Sequence, residues 1–289
     1  MVDYDKWFAE SATGKSQINS RAIYKGLSSE IVNKIEKDLP VNEIISWIKS
    51  ETIKAFSSKY AKPPQVGALN NAIGRWNEFI ATSLLSEIVI DMNQQNKRCI
   101  AVFSLPNSQV QKEGVNEVSS KFLSLFCNNE FITGKVLSRI TLFKANIFLP
   151  SPDYVITVLD NKDVSNSVPL LLEQQAREPD SLALYNLLKG KLNINEVRAA
   201  ASLKTSNRPD RRYQPLFEAA MIKSMGYVLE QNWQYYMVAS DLSSADITIF
   251  NTAIAPHGIA LRQNFKLVDG TYLYSRKKDL ISLVRAAVQ

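Results

Sequence analysis

Ser202-Leu203-Lys204-Thr205-Ser206-Asn207-Arg208-Pro209-Asp210-Arg211-Arg212 is followed by an apolar-periodic segment whose first acidic residue is Glu218. Within 17 positions this stretch sets a lysine at the end of an apolar run, two arginines around an aspartate beside a proline, and a carboxylate within a helical pattern. The run from Glu196 to Thr205 reads as a strand, and side-chain alternation puts Ser202 and Lys204 on one face of it. Pro209 suits a position at or just before a helix start, so a helix is expected from Asp210 to about Gln231. Pro215 is tolerated there because it sits early. Glu218 then lies about two turns in.

Working upstream, Pro150-Ser151-Pro152-Asp153 forbids helix and leads the chain into a strand, Tyr154 to Leu159, with Asp153 at its start, 51 positions before Lys204. Ile140 to Leu149 reads as a neighbouring strand and Cys99 to Phe103 as a short buried one. Leu69 to about Met92 carries the longest helical pattern, with Ile73, Trp76, Ile80, Leu84 and Ile88 recurring every three or four residues. Glu78 projects off that stripe, which by itself describes a surface glutamate. Residues 1 to about 60 read as mostly helical, about Val115 to Cys127 as a helix, Asp160 to Asp180 as a polar loop, and Ser181 to Lys189 as a helix. Beyond the central stretch, strands are expected at Trp233 to Ser240 and Ile247 to Ile254, a hairpin through Asp269-Gly270, and a basic helix from about Arg276 to Val288. The economical architecture is one α/β domain over residues 1–289: a central mixed β-sheet flanked by helices. It comprises a mostly helical part over 1–60, a core over 69–254, and a hairpin and helix over 255–289.

Composition narrows the chemistry. The 289 residues are 45% apolar, enough for a large core, and contain no apolar run near the ~18 residues a membrane span needs. The start, Met-Val-Asp-Tyr-Asp-Lys-Trp, lacks the basic-then-apolar pattern of a signal peptide, so a cytoplasmic location is expected. Cys99, Cys127 and His257 are too few for a structural zinc site, so a metal would have to be a hard cation on carboxylates. Net charge is +6 and the pI near 9.1, which favours an anionic partner.

Phosphodiester hydrolysis calls for carboxylates that hold a divalent cation and for a lysine near the attacking water. Nucleases built this way commonly space these groups as Pro-Asp, a gap, then acid-x-Lys. Here Ser202 stands where the acid should be. Glu218, 14 residues beyond Lys204, offers a repair by reaching back from the helix.

Ser-x-Lys-Thr-Ser-x-Arg-Pro-Asp-Arg-Arg with a helical glutamate at that distance closely resembles the type II restriction endonucleases that recognise a CCGG core, within the PD-(D/E)xK nuclease superfamily. The resemblance implies that Asp153 and Glu218 are the metal ligands, Lys204 the catalytic lysine, and Ser202 the position the acid vacated. Gly74-Arg75-Trp76-Asn77-Glu78 also resembles the family's upstream helical segment, which would make Glu78 an accessory carboxylate. It further implies Mg²⁺, a homodimer or homotetramer on double-stranded DNA, 5′-phosphate ends, and four-nucleotide 5′ overhangs.

The reading residues make independent physical sense. Arginine donates two parallel hydrogen bonds to guanine O6 and N7, and a carboxylate accepts from the cytosine N4 amino group. Arg208, Asp210 and Arg211 therefore suit neighbouring C·G pairs, and two-fold symmetry would read a palindrome. The plain alternative is an exposed helix start with solvated arginines. Two other readings stay open at this level: a structure-selective repair or recombination nuclease on the same fold, and a DNA-binding protein without catalysis. A basic metabolic enzyme is disfavoured by the lack of a phosphate-binding glycine loop.

Overall fold

In the computed structural model, the described residues are 4–10, 16–95, 98–106, 121–132, 135, 137–138, 152–205 and 212–289. A short antiparallel ribbon, β1 (Phe8–Glu10) and β2 (Ser16–Ile18), precedes the main sheet. That sheet has five strands in the order β3 (Cys99–Ser104), β4 (Tyr154–Leu159), β5 (Val197–Lys204), β6 (Gln234–Ala239) and β7 (Gly270–Leu273). The β3/β4 and β4/β5 pairs are antiparallel, and β5/β6 and β6/β7 are parallel. A mixed sheet flanked by helices is the architecture the sequence predicts.

Both faces of the sheet are covered, which is why β5 can carry the run Ala199-Ala200-Ala201 without a polar alternate. On one face Val102, Tyr154, Ile156, Ala201, Leu203 and Val238 meet Ala81 and Leu85 of the long helix Val66–Gln95 and Leu280 and Leu283 of the C-terminal helix Lys277–Val288. The helix Tyr213–Val228 connects β5 to β6 and packs on β6. Its buried positions, Pro215, Glu218, Ala219, Ile222, Met225 and Gly226, recur every three or four residues, so Glu218 lies on the stripe turned toward the sheet. Trp233, at the end of this crossover, stacks on Phe126 with centroids 5.5 Å apart and rings 4° from parallel.

Several expectations are corrected. Asp160 to Asp180 is not a loop: it holds the helices Lys162–Ser165 and Val168–Arg177. Pro169 starts the second, and its buried positions are Val168, Leu172 and Gln175, a stripe disguised by the glutamine. Ile247 to Ile254 is not a strand, because the helix Ser244–Thr252 runs through it. There the Ser243 hydroxyl accepts from the Asp246 amide at 3.1 Å and the Asp246 carboxylate accepts from the Ser243 amide at 3.0 Å. That capping box outweighs the β propensity of Ile247-Thr248-Ile249. Asp269-Gly270 does not turn a hairpin, since β7 starts at Gly270 and pairs parallel to β6 with Tyr236 opposite Gly270. Up to residue 60 the described residues are mostly helical, as expected, with a 3-10 helix at Tyr4–Trp7 and α-helices over Ser20–Gly26, Ser28–Glu36 and Val41–Tyr60. Of the helix expected over Val115 to Cys127, the described part is a 3-10 turn, Leu123–Leu125. The strand expected over Ile140 to Leu149 lies outside the described residues. Both cysteines are free thiols. No helix among the described residues is long and apolar enough to cross a membrane.

Gln175 ties three elements together. Its buried amide donates to Ser86 Oγ at 2.8 Å in the long helix and to the Val102 carbonyl at 2.9 Å in β3. Truncation strands those acceptors in the interior, so Gln175→Ala is expected to destabilise the protein by roughly 1–3 kcal/mol in chemical denaturation. The exposed neighbour change Gln174→Ala should stay within about 0.5 kcal/mol. Equal effects of the two changes would contradict this assignment.

Candidate active site

The register of β4 against β5 builds the centre of the site. Tyr154 pairs with Ala201, and β5 continues to Lys204 while β4 has only just begun. The amides of the overhanging residues need acceptors. Asp153 Oδ2 provides one, taking the Leu203 amide at 2.7 Å. The same oxygen lies 3.2 Å from Lys204 Nζ and 3.2 Å from Ser202 Oγ. Ser202 and Lys204 therefore share the face that alternation predicts, and Leu203 between them points into the core on the opposite face. Parallel pairing with Met237 to Ala239 holds the far edge of this strand end.

Glu218 arrives from the helix. Its side chain lies within reach of Ser202, with Oε2 3.3 Å from Ser202 Oγ. The Tyr235 hydroxyl donates to the same oxygen at 2.9 Å, and Gln214 Nε2 lies 3.3 Å from Oε1. Asp153, Ser202, Lys204 and Glu218, expected from spacing, thus form one hydrogen-bonded cluster.

The cluster is short of positive charge. A serine hydroxyl has one proton, so Ser202 donates to Asp153 or to Glu218 but not to both at once. Glu218 is only 5% exposed, and burial, then the nearby Asp153 charge, raise its carboxyl above the ordinary carboxylate range against the opposing pull of Lys204, Tyr235 and Ser202. Two carboxylates around a half-satisfied hydroxyl fit a hard divalent cation. Such an ion is commonly held by one or two protein carboxylates, with substrate phosphate and water completing its shell. Among the described residues no group of three or more His, Cys, Asp or Glu gathers for a metal.

Glu78 stands at the margin of the cluster. Its side chain is 38% exposed and paired with Arg75 Nη1 at 2.7 Å. Burial raises its pKa, Arg75 opposes the rise, and the Asp153 charge adds to it. Its backbone is anchored to the strand that follows Asp153: the Tyr154 hydroxyl donates to the Glu78 carbonyl at 2.9 Å and lies 2.8 Å from the Thr82 hydroxyl. Arg208, Asp210 and Arg211 fall outside the described residues. Arg212, which follows them, binds the buried Asp246 carboxylate through Nε. His257 packs at a tilt against Tyr227 and Phe265, with Nδ1 3.3 Å from Ser224 Oγ, and makes none of the cluster's hydrogen bonds. Sequence reasoning missed Tyr235, whose only signal is its alternate position along β6.

Fold, cluster and relatives together define the class: the protein is a type II restriction endonuclease, a site-specific nuclease. More narrowly, the profile of the Cfr10I/Bse634I restriction endonucleases matches residues 2–289, and the chain belongs to that family. It is similar to the type II restriction enzyme Cfr10I of Citrobacter freundii, 24% identical over an alignment of 263 positions that covers 85% of each chain. The fold matches a crystal structure of the type IIF restriction endonuclease Bse634I with cognate DNA, with TM-score 0.75, 20% identity, and coverage of 98% of this chain and 97% of that one. A second structure, Bse634I restriction endonuclease, matches with TM-score 0.71 and 18% identity over 98% and 96% of the two chains.

The raised Glu218 pKa makes a stability prediction. A carboxyl whose folded pKa lies above its unfolded value stabilises the protein fully at pH below the unfolded pKa, and that contribution disappears as pH rises through the folded one. In the presence of EDTA, Glu218→Gln should therefore melt higher than wild type at pH 8, by roughly 2–4 °C per kcal/mol relieved. The gap should narrow toward pH 5. A gap that widens on acidification would contradict the electrostatic account.

Proposed function

We propose that the enzyme cleaves double-stranded DNA at a palindrome with a CCGG core, using Mg²⁺ held by Asp153 and Glu218. The observation that carries the reading is the Asp153–Ser202–Lys204–Glu218 cluster, with the displaced acid delivered from the helix that follows the reading segment. When bound, a divalent cation there supplies positive charge to the scissile phosphate and eases deprotonation of water. Lys204, held beside Asp153 Oδ2, orients the attacking water or helps take its proton. In-line attack then leaves a 5′-phosphate and a 3′-hydroxyl, with cutting before the first C of the core giving four-nucleotide 5′ overhangs. Glu78 acts as an accessory carboxylate.

Arg208 and Arg211 read guanine and Asp210 accepts from cytosine N4, each good bidentate contact contributing about 1–3 kcal/mol of discrimination. A homodimer or homotetramer presents two such segments to the two halves of the palindrome. The net charge of +6 supports an anionic partner. So does the Bse634I relative, whose crystal structure contains cognate DNA.

Digestion of a plasmid of known sequence in Mg²⁺, followed by sequencing of the ends, tests this reading; discrete ends with CCGG overhangs are expected, and random nicking would overturn it. Asp153→Ala should abolish cleavage and Lys204→Ala should slow it by roughly 10²–10⁴-fold, both leaving a folded, DNA-binding protein. Full activity in either variant is incompatible with the mechanism. Asp210→Ala should weaken binding to the preferred site by about 1–3 kcal/mol and binding to unrelated DNA much less. Equal losses on both would remove Asp210 from base reading.

A further inference from the structure

Glu218 poses a positioning problem that a strand-borne acid does not. Its carboxylate ends a flexible side chain that reaches across from a helix to a ligand position fixed by a different element. Ser202 cannot hold it alone, because its single proton is divided between Asp153 Oδ2 at 3.2 Å and Glu218 Oε2 at 3.3 Å. Gln214 lies one turn earlier on the same helix, so it moves with Glu218 and offers no external reference. Tyr235 is the donor from outside: its ring is fully buried on β6, and its hydroxyl meets Oε2 at 2.9 Å.

Tyr235 is itself fixed to the Glu218 helix at a second point. Its backbone amide donates to Asp269 Oδ2 at 2.7 Å, and both Asp269 oxygens lie 2.9 Å from Nζ of Lys223, five residues after Glu218 on the helix. Lys223 Nζ also reaches the Trp233 carbonyl at 3.2 Å, just before β6. Strand and helix are thereby tied together at a second point, five residues beyond the carboxylate. The chemical type of the donor matters equally. A phenol satisfies a buried oxygen without cancelling its charge, whereas a lysine or arginine in its place would form an ion pair competing with a bound cation.

We infer that Tyr235 is a positioning residue for divalent-cation binding: its hydroxyl holds Glu218 Oε2 so that the carboxylate is presented to a cation shared with Asp153. The inference rests on the assignment of Asp153 and Glu218 as cation ligands. Ligand-orienting partners of this kind typically change metal affinity by roughly 10–100-fold when removed.

Direct titration of the full-length protein with Mn²⁺, followed by electron paramagnetic resonance of the free ion, reads this without turnover. Tyr235→Phe should weaken Mn²⁺ binding roughly 10–100-fold. It should raise the Mg²⁺ concentration for half-maximal plasmid cleavage by a similar factor, with KM for the plasmid unchanged. Tyr236→Phe, whose hydroxyl bonds Gln234 Oε1 at 2.6 Å on the same strand, should change neither. Asp269→Asn loosens this second tie without touching the phenol and should weaken Mn²⁺ by a smaller factor, which keeps the test alive if Tyr235→Phe does not fold. Because Tyr235 acts through Glu218, Tyr235→Phe/Glu218→Gln should bind Mn²⁺ no more weakly than Glu218→Gln alone. Wild-type Mn²⁺ affinity in folded Tyr235→Phe, or losses that multiply in the double variant, would overturn the role of Tyr235. Undiminished affinity in Glu218→Gln would instead overturn the ligand assignment beneath it.

Discussion

The hydrogen bond from the Leu203 amide to Asp153 Oδ2, 2.7 Å long, is the constraint on which the site depends. It exists because β5 runs past the start of β4 and leaves an amide that the ladder does not serve. A side-chain carboxylate fills that vacancy, and in doing so it is pinned between Ser202 and Lys204. Sheet register and catalytic geometry are therefore one feature. A slip of one residue would turn Ser202 and Lys204 to the opposite face and Leu203 toward the carboxylates.

Around that fixed carboxylate the remaining charges are arranged with a deliberate imbalance. Asp153 and Glu218 bring two carboxylates to a buried strand end, against Lys204, one serine proton and a tyrosine hydroxyl. In a purely structural core such a set would be replaced by apolar residues or by a matched pair. Here the unmatched acid raises its own pKa through burial and the neighbouring Asp153 charge. The folded protein is left with a local excess of negative charge. Stability is given up at one place in the fold, and the large two-faced core around the sheet carries the difference.

Much of this arrangement was legible in the amino-acid sequence because it rests on local rules. Alternation along β5 places Ser202 with Lys204, Pro152 starts a strand at Asp153, and Glu218 falls on the 3.6-residue stripe of its helix. The errors arose where a local pattern was outvoted. The β-branched run Ile247-Thr248-Ile249 gave way to the Ser243–Asp246 cap. A buried stripe containing Gln175 looked like a loop because its polar residue is satisfied by partners far along the chain. Asp269-Gly270 reads as a turn, yet Asp269 serves the Tyr235 amide and Lys223, contacts that only the parallel β6/β7 pairing creates. Tyr235 was invisible for the same reason, since its role is defined by a helix residue that meets it only in the folded chain.

The most direct measurement of the central claim is anomalous diffraction from a crystal of the protein grown or soaked with Mn²⁺. An anomalous peak bonded to carboxylate oxygens of both Asp153 and Glu218 is expected, at about 2.0–2.2 Å as for a small hard cation. A peak that contacts Asp153 but leaves Glu218 on Tyr235 and Ser202 alone would contradict the displacement of the acid from strand to helix. So would a well-occupied ion bound elsewhere with this pair of carboxylates unchanged.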